Sequence, residues 1–150
     1  MQDRLLLLSL ATAGMCLGCG NHPAPSPVFA ASPLHGGILI PLPEDQGYVE
    51  LLNDKSVPRG RVAHTTIVAY VLQPDQKSPV AQQVQSVIVK LGAPPDAQMV
   101  ALHPDPDRSD PVGRARFVSD LGRYLLNQSG GEVQVMLGGK TLTVPFRGPR

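Results

Sequence analysis

Two short runs near the C-terminus constrain this 150-residue chain more than any other feature. Glu132-Val133-Gln134-Val135-Met136-Leu137 and Lys140-Thr141-Leu142-Thr143-Val144-Pro145-Phe146 alternate apolar and polar positions on either side of Gly138-Gly139. A two-residue hairpin link needs positive φ angles, which glycine adopts without a steric penalty. Folding about that link sets Val133 opposite Val144 and Val135 opposite Leu142 on one face, with Glu132, Gln134 and Thr143 on the other. Pro145 lacks a backbone donor, so the second strand belongs at a sheet edge.

The same two-residue period recurs upstream. Residues 37–42 and 48–52 are apolar runs separated by the turn former Pro43-Glu44-Asp45-Gln46-Gly47. Residues 62–72 are rich in β-branched side chains and apolar on both faces, the pattern of a central strand. Residues 83–91 alternate again, and 99–103 form another short strand between Pro- and Gly-bearing turns. Short strands at such intervals predict an all-β domain, a small β-sandwich of the immunoglobulin or transthyretin-like kind. One stretch departs: Phe117, Leu121, Tyr124 and Leu125 recur at helical spacing and predict one short helix closing an end, despite Gly122. With no Trp and only three Tyr and three Phe, the core has to be mostly aliphatic.

The N-terminus follows different rules. A short polar head containing Arg4 precedes the apolar run from Leu5 to Met15. That run is shorter than the ~20 residues needed to span a bilayer, but it fits the apolar region of an export signal. The Cys16-Leu17-Gly18-Cys19 stretch at its end resembles the lipobox of bacterial lipoproteins. There a small residue, here Gly18, precedes a cysteine that receives diacylglycerol and becomes the new N-terminus. The resemblance implies residues 1–18 as signal peptide and Cys19 as the lipidated residue; Cys16 stands where the family usually has Leu. A conventional secretory signal cut between Cys19 and Ala31 is the other reading. Gly20, and not Asp, follows the cysteine, which by the same resemblance points to the periplasmic face of an outer membrane where two membranes exist. Membrane lipid would then be one partner and an envelope protein a second. More than one acyl chain is needed for durable attachment, and lipoprotein anchors meet that condition.

Residues 19–35 combine the anchor with Pro23, Pro25, Pro27 and Pro33 among small polar residues. Fully extended, the 15 residues from 20 to 34 reach roughly 45 Å from a bilayer at about 3.1 Å per residue. The segment reads as a tether, and residues 36–150 as the folded domain. The whole chain carries 13 basic and 12 acidic residues, a balance that argues against nucleic acid as a partner.

The segments "PLHGGILIPLPEDQGYVELLND" and "IVAYVLQPD" resemble small extracytoplasmic β modules found in bacterial lipoproteins and beside adaptor subunits of heavy-metal efflux pumps. In these, His-Gly-Gly opens the first strand and Tyr-x-x-Glu-Leu and Val-Tyr-Val-Leu-Asp follow. His35-Gly36-Gly37, Glu50-Leu51 and Tyr70-Val71-Leu72 carry the similarity. Val49 and Gln73 stand where the modules often have His and Asp.

Chemistry-bearing motifs are sparse. There is no Gly-x-Ser-x-Gly, His-Glu-x-x-His or phosphate-cradling glycine loop, so the sequence points to a non-catalytic domain without a cofactor. The acidic stretch "HPDPDRSDPVG" is no EF-hand: counted from Asp105, its sixth position is Asp110 and its twelfth Arg116, where Gly and Glu are required. It reads as a solvated connection. Metal binding is the alternative function, a zinc or copper module assembled from His35, His64 and His103. These histidines lack the close spacing of ordinary zinc ligands, so such a site depends on strand ends meeting.

Overall fold

A computed structural model describes residues 32–59, 62–126, 128 and 130–148, with backbone alone for residues 55–59, 62 and 63. The signal, the lipobox with Cys19 and most of the tether lie outside the described residues. Eight strands form the domain: β1 (Ile38–Pro41), β2 (Tyr48–Arg59), β3 (Val62–Leu72), β4 (Val84–Leu91), β5 (Gln98–Pro104), β6 (Arg116–Ser119), β7 (Gly131–Leu137) and β8 (Lys140–Phe146). Every pairing is antiparallel, in the order β1-β2-β3-β6-β5-β4-β7-β8. The domain is all-β, as its alternation requires.

The C-terminal hairpin has the expected register. Val133 pairs with Val144 and Val135 with Leu142, while Gly138 and Gly139 supply φ angles of 56° and 82°. Val135 and Leu142 are buried. Pro145 sits in β8, the last strand of the sheet, where its missing donor costs no ladder bond.

The short helix expected around Phe117 does not form. Residues 116–119 are strand β6 instead, paired with β3 through Phe117–Ala69 and with β5 through Phe117–Pro104. Phe117 and Ser119 are buried while Arg116 and Val118 are less so, a period of two. Leu125, needed for a helical stripe, is 58% exposed. Tertiary pairing on both flanks outweighs the local spacing. The strand has a second consequence: β6 joins β1-β2-β3 to β5-β4-β7-β8, so the two halves belong to one continuous sheet. That sheet curls until β1 and β8 approach each other, and Lys140 Nζ reaches Glu44 Oε1 at 2.8 Å near the seam.

One aliphatic core fills the inside of the curl. It draws Ile40 from β1, Val49 and Leu51 from β2, Ile67, Ala69 and Val71 from β3, and Val87, Val89 and Leu91 from β4. Strands β5 to β8 complete it, with Phe117 and Phe146 as its buried aromatic rings. β3 is buried on its other face too, where Val68, Tyr70 and Leu72 pack under Val112 and Ala115. That second cluster explains why β3 is apolar on both sides, and it fixes the loop 105–115 against the sheet.

Candidate functional site

A single carboxylate interrupts the apolar run of β2, and its solvation organises the site. Glu50 is 0% exposed, so its charge requires partners inside the protein. The incoming chain supplies them. Oε1 accepts from the backbone N–H of His35 at 2.7 Å and of Gly37 at 3.1 Å, and Oε2 accepts from Leu34 N–H at 3.2 Å. Such a wrap requires glycine. Gly36 has φ 75°, and any Cβ on Gly37 would collide with the Leu51 carbonyl.

The His35 ring extends the network in both directions. Nδ1 lies 3.0 Å from Glu50 Oε2, and Nε2 lies 2.9 Å from Asp110 Oδ2. The ring stacks on Tyr70, with centroids 4.0 Å apart and planes 9° from parallel. Tyr70 is 6% exposed. Its phenol is pushed up to about 12, first by burial and then by the charge and hydrogen bonding of Asp110, against an opposing pull from Arg116. Arg116 pairs with Asp105 and lies 3.4 Å from Asp54. Burial works against its charge, but the hydrogen bond and charge of Asp105, with help from Tyr70, hold it above the ordinary guanidinium value.

The result is a polar chain running across two strands, the segment ahead of β1 and a loop: Glu50 on β2, His35 ahead of β1, Tyr70 on β3 and Asp110 on the loop 105–115. Chemically it resembles a brace. Each ring nitrogen of His35 already faces a carboxylate, and one ring face is covered by Tyr70. Beside it, Leu34, His35, Lys77, Asp110, Pro111 and Val112 line an open cavity of about 420 Å³.

The three histidines considered as metal ligands do not form a set. His35 is engaged as above. His103 is exposed on β5, in register with Val118. His64 is on β3 opposite Val57, and its Nδ1 is buried with no hydrogen-bond partner among the described residues. Among the described residues no group of three or more His, Cys, Asp or Glu side chains is placed to hold a metal ion.

The acidic stretch splits into two parts. Asp107 closes a local turn onto Ser109 and is exposed, and those hydrogen bonds hold its carboxyl below the usual range. Asp110 instead reaches inward to His35, a role the sequence reading missed. A lone Glu in the apolar run 48–52 was the available signal, because a buried carboxylate implies donors nearby. The fold and site define an all-β domain with an internally satisfied ionic brace. No family model, curated protein or solved structure matches the chain.

Proposed function

We propose that this chain is a membrane-anchored lipoprotein of the cell envelope, whose β domain serves as a non-catalytic accessory or interaction module on the extracytoplasmic side. The observation that carries the reading is the order of segments: an apolar export signal, Gly18-Cys19, a Pro-rich stretch and then a domain of single-domain size. The anchor is membrane lipid through Cys19, and the partner is an envelope protein. Supporting it, His35-Gly36-Gly37, Glu50 and Tyr70, which carry the likeness to extracytoplasmic β modules, converge in one network. That network uses its histidine as a brace and leaves neither ring nitrogen without a facing carboxylate, which favours a structural role over acid–base chemistry.

Metabolic labelling with a fatty acid in a bacterium that processes lipoproteins tests the proposal. The wild-type protein should label and partition into detergent, and Cys19→Ser should do neither. Label that persists in Cys19→Ser would overturn it.

A further inference from the structure

The longest pairing in the sheet outruns its neighbours. β2 and β3 pair from Tyr48–Leu72 out to Arg59–Val62, but β1 covers β2 only as far as Leu51 and β6 covers β3 only over Val68–Tyr70. One isolated bridge joins Thr65 to Gly122. Beyond it, the backbone of residues 55–59 and 62–64 has no strand partner outside the hairpin among the described residues. This part of the hairpin is a two-stranded arm, and Gly60-Arg61 link its strands in the sequence.

Basic residues gather on the arm. The stretch "KSVPRGRVAH", residues 55–64, contains Lys55, Arg59 and Arg61 and no carboxylate. The chain as a whole has 13 basic and 12 acidic residues, so everything outside these ten carries 10 basic against 12 acidic. The overall balance conceals a separation of charge. Asp54, the acid just before the arm, lies 3.4 Å from Arg116 and is already paired. At the root of the arm, Arg147 lines a cavity with Leu52 and Asn53 and adds a further cation.

We propose that the β2–β3 arm docks the domain on the anionic headgroups of a phospholipid surface, with the acid-rich remainder of the domain turned away. The proposal rests on the envelope reading above, which keeps the domain within a tether's length of a bilayer. Other occupants fit the arm less well. A bulge between Asp54 and Val57, together with Lys55 and Pro58, supplies the features that blunt an open strand edge against pairing with another strand. A folded protein partner needs roughly 800 Å² on each side. Two strands of five residues, at about 3.3 Å per residue and 4.8 Å between strands, present on the order of 150 Å² on a face. A charged surface requires no such area, because each Lys or Arg near anionic lipid strengthens binding about fivefold without tight packing. Three cations give roughly a hundredfold, and tethering raises the local concentration enough for a contact of that strength to be populated.

Co-sedimentation with sucrose-loaded vesicles tests the proposal on residues 19–150 carrying Cys19→Ser, so that no acyl chain contributes. The probes are vesicles of phosphatidylcholine alone and of phosphatidylcholine with an equal part of phosphatidylglycerol. The chain should partition onto the anionic vesicles roughly a hundredfold better than onto the neutral ones at low ionic strength, and lose that preference as salt is raised. Combined Lys55→Gln, Arg59→Gln and Arg61→Gln should abolish the preference. Combined Lys77→Gln, Arg108→Gln and Arg114→Gln, which removes three exposed cations from other loops, should leave most of it. Urea unfolding checks that both variants fold, and the salt dependence of the parent chain tests the charge without any variant. Equal partition onto the two kinds of vesicle, or equal loss in the two variants, would overturn the proposal. So would arm-dependent binding to polyglutamate with none to vesicles, which would assign the arm to an acidic protein. Because the tested chain carries no anchor, failure of docking and failure of fatty-acid labelling at Cys19 are read separately.

Discussion

Replacing Glu50 with Ala removes the acceptor around which the N-terminal segment is wrapped, and the cost can be worked from its four contacts. The Leu34 amide belongs to a residue 48% exposed, so water replaces that bond at little cost. The amides of His35 and Gly37 and the Nδ1 of His35 lose an ionised partner at 2.7, 3.1 and 3.0 Å. Hydrogen bonds to charged groups are worth about 1.5 to 3 kcal/mol each, which places the gross loss for three at about 4.5 kcal/mol or more. Three converging donors are also enough to hold a water in the vacated space, recovering part of that. Removing the desolvated charge recovers a little more. A net destabilisation of about 3 to 4 kcal/mol follows, a large share of the roughly 5 to 15 kcal/mol typical of a domain. Glu50→Gln keeps an oxygen at the Oε1 position for the His35 and Gly37 amides, so it should cost less, about 1 to 2 kcal/mol. Urea denaturation of the three proteins measures both differences. A loss below about 1 kcal/mol for Ala, or equal losses for Ala and Gln, would refute the view of Glu50 as the organising acceptor.

Tyr70 makes the fold sensitive to alkali. Its phenol ionises near the ordinary 10.0 when unfolded and at about 12 when folded, so the stability it adds is complete below pH 10. As pH rises from 10 to 12 the unfolded state binds fewer protons than the folded one, and on the order of 2 to 3 kcal/mol is lost. Tyr70→Phe should lack this component, and identical alkaline stability profiles for the two proteins would contradict the assignment. Val135, 0% exposed and paired with Val87 and Leu142, should cost about 2 to 3 kcal/mol on conversion to Ala. Thr143→Ala, on the exposed face of β8, should cost under about 0.5 kcal/mol; reversal of that order in thermal or urea unfolding would mean the hairpin register is shifted.

The hairpin was legible because everything that specifies it is local: the period, the Gly138-Gly139 link and Pro145 all lie within residues 131–146. Strand β6 was not. Its partners Val68–Tyr70 and Leu102–Pro104 come from distant parts of the chain, and the four residues of β6 are too short to show a period against the helical spacing around them. The site divides the same way. His35-Gly36-Gly37 and Glu50 stand out as residues, the first for its paired glycines and the second as a carboxylate among apolar neighbours. Asp110, 75 residues from His35 along the chain, carries no mark that separates it from the exposed Asp107 nearby. Pairing over such a distance leaves no periodic trace, so a loop that looked uniformly solvated hides an inward-facing carboxylate. Arg116 is similar, since its partner Asp54 lies 62 residues away.

The claim on which the functional reading depends is the fate of Cys19. The intact mass and N-terminal residue of the protein purified from the membranes of a bacterium with lipoprotein machinery address it directly. A chain beginning at Cys19, with a mass exceeding that of residues 19–150 by a diacylglycerol group, with or without a further acyl chain on the new amino terminus, is the expected product. An unmodified chain, beginning anywhere between Cys19 and Ala31 and recovered in the soluble fraction, would contradict it.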